Sequence, residues 1–264
     1  MEFDPGLFNP RLAVKVHAAD LSFSYGNNVF GPAPERRSLD AIRGSLRDPG
    51  CQGPDPVYSI VMDVGRQPDR AELERRMLLF GVVAYAAGQL GNEPVRSQGH
   101  VHTIAPHCGW STPEIFEIWQ GRAVIYAQQS VTDDPGRCIA VAAGPGEQVV
   151  VPPGWAHWVM NADPAAPMVF GAWCDRQYGF VYDGVRAHRG LAWFPLLTEN
   201  RTVQWEPNPH YHASPLIERD ARPYPELDLS AATPIYEQYQ RNPESVQWVS
   251  DPARYATLWP TFEP

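Results

Sequence analysis

Between residues 78 and 174, short apolar runs alternate with Gly and Pro: LLFGVVAYAAG, VRSQGHVHT, EIFEIWQG, AVIYAQQS, QVVVPPG, HWVMN and PMVFGAWC. These segments read as strands separated by turns, a density that predicts a barrel or sandwich and disfavours a parallel α/β sheet. Upstream, VYSIVMDV (57–64) predicts one more strand. SLDAIRGSL carries apolar residues at 39, 42 and 46 with Ser38 as N-cap, which predicts a short helix. Residues 68–79 open with Pro-Asp and are rich in Glu, Arg and Leu, so a short helix or an irregular insertion is expected there. Residues 1–36, with YGNNVFGPAPE, show little periodicity and read as an N-terminal arm that wraps the domain or reaches a partner subunit. Residues 213–264 form a Pro-rich, polar C-terminal extension with one amphipathic turn near 235–239. No internal repeat suggests a second barrel. The reading is thus all-β: one central domain, residues 37–212, between two extensions that contain short helices.

Composition agrees with many turns, since 28 Pro and 21 Gly accompany a hydrophobic content of 44% in 264 residues. Lys and Arg total 21 against 30 Asp and Glu, a net charge of −9, and no basic run stands out. Nucleic acid and an anionic membrane surface are therefore poor partners, and an anionic substrate would need local positive charge or a metal ion. Four cysteines, Cys51, Cys108, Cys138 and Cys174, form no CxxC pair and are expected to be free thiols. The opening MEFDPGLFNP lacks a basic region followed by an apolar run, and no stretch approaches the roughly 18 apolar residues of a spanning helix, so a cytoplasmic location is expected.

Candidate chemistry sits in two stretches. In GHVH (99–102), residues two apart on a strand share a face, so His100 and His102 both point inward if either does. In EIFEIWQG the same parity puts Glu114 with Phe116 and Ile118, and Glu117 on the other side. GEQVVVPPGWAHWVMN (146–161) delivers His157 where a strand leaves a Pro/Gly turn, with Pro152 and Gly154 shaping the turn and Asn161 able to tie its backbone. Three imidazoles and one carboxylate suit a divalent transition metal ion, Fe, Mn, Ni or Zn, and leave positions open if the ion is octahedral.

These two stretches resemble the two motifs of the cupins. The second matches at Gly146, Pro152, Gly154, His157 and Asn161, the first at His100, His102, Glu114 and Gly121, except that TIAPHCGWSTP inserts eleven residues before Glu114 where the family usually has three or four. The insertion leaves His107 as an alternative ligand. Within the cupins, AAGQLGNEPVRSQGHVH (86–102), QYG (177–179) and NPHY (208–211) are similar to stretches of the cupin-type phosphoglucose isomerases, over roughly residues 37–212. That resemblance implies a double-stranded β-helix barrel and a homodimer that interconverts glucose 6-phosphate and fructose 6-phosphate at the metal. It assigns His100, His102, Glu114 and His157 as ligands, Glu114 as the proton-transferring base, and Tyr178 as an aid to ring opening. A metal-assisted hydride shift would use the same ligands. Phosphate recognition would involve Ser97 and Gly99. The family's other hydroxyl position falls on Val83 and its histidine before Asp-Tyr-Gly on Arg176, so Arg96 and Arg176 are the candidate phosphate ligands. Three alternatives stay open: a cupin isomerase acting on another sugar, one without phosphate included; an iron dioxygenase; and a non-catalytic sugar-binding cupin.

Overall fold

The computed structural model describes residues 12–264 and, of residues 1–11, only the backbone of the strand Glu2–Phe3. Its frame is built from ten strands: β1 (Glu35–Arg37), β2 (Tyr58–Met62), β3 (Leu78–Tyr85), β4 (Glu114–Gln120), β5 (Ala123–Gln128), β6 (Cys138–Ala143), β7 (Gln148–Val151), β8 (Ala156–Asn161), β9 (Met168–Asp175) and β10 (Leu216–Asp220). One sheet has six strands in the order β7-β4-β9-β3-β2-β1, the other four in the order β8-β5-β6-β10. The two sheets face each other across a shared core. Val83, Tyr85, Phe116, Ile118 and Phe170 from the first meet Ile125, Ala127, Ile139, Val141 and Val159 from the second in one buried cluster.

The two longest strands, β3 and β9, are buried at every residue. That explains their near-continuous apolar sequence, because a strand covered on both faces has no solvent side to alternate with. One face looks into the barrel and the other is roofed by the C-terminal segment. Tyr224, Tyr236, Tyr239, Trp248, Trp259 and Phe262 pack on Phe80, Val82, Trp119 and Trp173 of the six-stranded sheet. Trp173 stacks on Tyr236, with centroids 5.3 Å apart and planes 14° from parallel, and its Nε1 donates to the Ile235 carbonyl. Burying aromatic rings of this size stabilises a fold by about 1.5–3 kcal/mol each.

Two segments expected to be peripheral carry parts of this frame. β10, in the C-terminal extension, adds to β6 in parallel from Cys138↔Leu216 to Ala142↔Asp220. In the N-terminal arm, Val14–His17 and Ser22–Tyr25 form an antiparallel pair, Val29–Phe30 pairs with Gly65–Arg66, and β1 joins the barrel sheet through Arg37↔Tyr58. Aperiodic, Pro-rich sequence hid these pieces because each is a strand of five residues or fewer. Local signals did better. Ser38 caps the helix Leu39–Ile42, its Oγ accepting from the Ala41 amide at 3.3 Å. Residues 70–75 and 235–241 are helical. The four cysteines are free.

Glu117 ties the roof to the barrel. Fully buried on the outer face of β4, it accepts from Trp119 Nε1 and from the Ile235 amide, both at 3.1 Å. Burial pushes its pKa from 4.5 up to about 7, even though both bonds favour the charged form. Over the window from about pH 4.5 to about 7, the unfolded chain releases this proton while the native chain keeps it, so stability from this group falls as pH rises. We expect the unfolding free energy of the wild type to drop relative to that of Glu117→Gln by on the order of 2 kcal/mol across this window, measured by urea titration. A difference that stays constant with pH would contradict the assignment.

Candidate metal centre

The edge strand β8 is extended by a segment that precedes β4. The Ser97 amide donates to the Val159 carbonyl, the Asn161 amide to the Val95 carbonyl, and His100 and His157 exchange both backbone hydrogen bonds at 3.0 and 3.1 Å. This pairing sets the two imidazoles side by side, with ring centroids 4.4 Å apart. Two glycines make the approach possible: Gly99 (φ +89°) and Gly154 (φ +79°) occupy left-handed backbone that other residues resist. Asn161 fastens the following turn, its Nδ2 donating to the carbonyls of Ala86 and Ala166.

His102 and Glu114 flank the eleven-residue insertion, which folds as a small hairpin, Ile104–Ala105 against Trp110–Ser111. The chain therefore returns to its starting point. Ser111 Oγ donates to the His102 carbonyl at 2.6 Å, and the Thr112 carbonyl sits 2.8 Å from His102 Nδ1. Glu114 starts β4 on the face it shares with Phe116, as parity requires. Ligand atoms of His100, His102, Glu114 and His157 all lie within 4.8 Å of one another.

The donor set fits a cation. His102 Nδ1 meets the Thr112 carbonyl and His157 Nδ1 the Trp155 carbonyl at 3.2 Å, which assigns the ring protons to Nδ1. Each Nε2 then presents a lone pair, and both point at Glu114 Oε2, at 3.3 and 3.2 Å. Acceptors facing a carboxylate at that range require positive charge among them. His100 Nε2 and His102 Nε2 are, besides, buried without a hydrogen bond, an arrangement that otherwise carries a penalty. Burial and the neighbouring imidazoles hold His100 well below the ordinary imidazole pKa, whereas His102, despite burial, is raised by Glu114. Burial pulls Glu114 upward, but His102 and His157 more than offset it and keep the carboxyl ionised.

Cys174 was not singled out by its sequence context. β9 pairs with β4 through Ile115↔Trp173, which brings Cys174 beside Glu114, and the thiol donates to Glu114 Oε1 at 3.0 Å. That contact occupies one carboxylate oxygen and leaves Oε2 for the histidines. Strand parity with Phe170 could have placed Cys174 on the inner face, but only the register reveals its partner.

A pocket opens over the quartet, walled by Tyr58, Ile60, Met62, Val83, Tyr85, Phe116, Val159, Phe170, Phe180 and Tyr182, with Arg37, Ser97, Gln98 and Gly99 as its further polar and backbone contributors. Ser97 and Gly99 thus border it. Arg96 and Arg176 do not. Arg96 is fully buried behind the wall, bound to Glu93 at 2.7 Å and to the carbonyls of Ser45 and Ser97, while Arg176 pairs with Asp63 at 2.7 Å. Tyr178 lies behind Phe180, centroids 5.3 Å apart, and Tyr182 takes the place on the wall. His107 is on the inserted hairpin, 3.1 Å from Asp175 and outside the quartet.

A family model described as glucose-6-phosphate isomerase (GPI) matches residues 46–214. The chain belongs to this family. The GPI match covers both histidine stretches, the insertion and β4 to β9. No curated protein sequence matches the chain. Among solved structures, an oxalate oxidase is similar with 17% identity over 47% of this chain and 54% of its own, at a TM-score of 0.34. Oxalate decarboxylase from Bacillus subtilis aligns with 17% identity over 50% and 28%, TM-score 0.34, and vicilin from Capsicum annuum with 13% over 47% and 30%, TM-score 0.32. The chain thus spans about half, or less, of the length of these structures. Among the described residues no helix is long and apolar enough to cross a membrane.

If Cys174 holds Glu114 in its ligating orientation, Cys174→Ala should weaken binding of a divalent transition metal ion about 10- to 100-fold, while Cys174→Ser, which keeps a donor, should stay close to wild type. Metal titration of the apoprotein reads this directly. Equal affinities for all three proteins would remove the thiol from the site.

Proposed function

We propose that this GPI-family protein is a metal-dependent aldose–ketose isomerase that interconverts glucose 6-phosphate and fructose 6-phosphate. The observation that carries the reading is a largely buried three-histidine, one-glutamate cluster at the floor of a pocket, within the segment that matches the GPI family. His100, His102, His157 and Glu114 would hold the ion. When bound, a divalent transition metal supplies a Lewis acid beside the sugar carbonyl. The chain's own part is to orient the open-chain sugar, exclude water and move a proton. Isomerisation takes the proton from C2 of the aldose and returns it to C1, which calls for a base over that edge of the substrate. Glu114 is the one carboxylate among the residues that line the pocket, and so it is the base this chain offers there.

The largely apolar and aromatic walls support the exclusion of water. The open space between them is only about 60 Å³, below the range on the order of 300–1,000 Å³ usual for ligand clefts. Substrate entry therefore needs wall side chains to turn aside. Met62 and Tyr182, both only half-buried, are the candidates. In this reading the sugar's hydroxyls meet Ser97, Gln98 and the tyrosine hydroxyls of the wall. We place the enzyme as a homodimer, the assembly implied by the family resemblance.

The test is a coupled assay in both directions with the chelated protein, adding back Fe(II), Mn(II), Ni(II) or Zn(II) singly. At least one ion should restore turnover, and His157→Ala should lose metal retention and activity together. Turnover of an unphosphorylated sugar alone would overturn the substrate, and oxygen consumption without isomerisation would favour the dioxygenase reading. Activity that survives complete chelation would refute the metal dependence.

A further inference from the structure

The isomerase reading requires a group that recognises the phosphate at the far end of the sugar, and neither Arg96 nor Arg176 reaches the pocket. Among the residues that line it, Arg37 alone is a Lys or Arg. It comes from β1, before the first residue of the GPI match, so nothing in the family's two histidine stretches points to it. β1 pairs with β2 so that Arg37 lies directly opposite Tyr58, and side chains of such a pair project on one face of the sheet. Tyr58 stacks on Tyr85 at 5.0 Å, Tyr85 lies 5.9 Å from Phe170, Phe170 5.4 Å from Phe116, and Phe116 5.9 Å from His157. Arg37 thus borders the same aromatic wall that runs to His157, and its charge reaches His100 across the pocket. An open-chain sugar that reacts at C1 and C2 over the metal site directs its other end along that wall.

The guanidinium is also incompletely engaged. One terminal nitrogen holds Glu35 at 2.7 Å, a carboxylate with 60% of its side chain exposed. An ion pair with so exposed a carboxylate is weak and readily exchanged for a better anion. Arg37 Nε is buried and has no hydrogen-bond partner at all. A planar guanidinium offers Nε and a terminal nitrogen as parallel donors, the fork that suits two oxygens of one phosphate. A buried donor left unmatched is unfavourable, and an oxyanion entering the pocket would satisfy it.

We propose that Arg37 is the phosphate-recognising residue of this site, exchanging Glu35 for the terminal phosphate of the sugar. The inference rests on the isomerase reading for its substrate, but Arg37 can be tested apart from it. Inorganic phosphate is titrated into the full-length, metal-loaded wild type, Arg37→Gln and Arg37→Lys, with binding followed by calorimetry and metal content checked in each. Arg37→Gln should keep its metal and bind phosphate about 10- to 100-fold more weakly, and Arg37→Lys should recover part of the loss. Where the isomerase assay succeeds, Arg37→Gln should raise KM for the phosphorylated sugar by a similar factor and leave KM for the unphosphorylated sugar unchanged. Equal phosphate affinity in wild type and Arg37→Gln, or no phosphate binding by the wild type, would overturn the proposal. If phosphate binding depends on Arg37 but hexose phosphates are not turned over, the anion site stands and the isomerase reading falls.

Discussion

Three imidazoles and a carboxylate meet in the interior of this barrel with their acceptor atoms turned toward one another, and the fold around them has to supply the restraint that the groups lack by themselves. Backbone carbonyls fix the tautomers of His102 and His157, the thiol of Cys174 takes up the outer oxygen of Glu114, and the paired amides of His100 and His157 lock the two stretches in register. Each contact is ordinary. Their joint effect is that four side chains spread over 58 positions of sequence, from His100 to His157, are directed to one point that a divalent cation suits.

Rigidity at that point has a source on the far side of the sheet. β3 and β9 hold both the pocket wall and the floor of the roof, and their outer faces are packed under the C-terminal aromatics. The segment 213–264 is therefore structural in the barrel itself. Trp173 under Tyr236 and Cys174 beside Glu114 are consecutive residues on opposite faces of one strand, so displacement of the roof would be felt at the metal ligands. The pocket, in contrast, is bounded on one side by less buried chain, β1 and the stretch from Phe180 to Tyr182, where opening is cheapest.

Much of the metal site was legible in the sequence, because its information is local: strand parity couples His100 to His102 and Glu114 to Phe116, and a Pro/Gly turn announces His157. The inserted hairpin looked like a threat to Glu114, yet it begins and ends at the same place and leaves Glu114 beside His102. What sequence could not supply was register. Cys174 owes its role to the pairing of β9 with β4, and Arg37 to the pairing of β1 with β2. Arg96 and Arg176 were attractive as cations near the motifs, but each has a carboxylate partner, Glu93 and Asp63, that only the folded chain reveals. The strands of the two extensions were missed because runs of five residues or fewer are too short to show a periodic apolar pattern.

The central claim is that His100, His102, His157 and Glu114 together bind one metal ion at the floor of the pocket. Anomalous diffraction from crystals of the metal-loaded protein, recorded on both sides of the absorption edge of the bound ion, tests it most directly. The account predicts a single anomalous peak in coordination contact with all four side chains, through Nε2 of His102 and His157 and Oε2 of Glu114. A peak at His107 and Asp175, or a peak that excludes any one of the four, would contradict it.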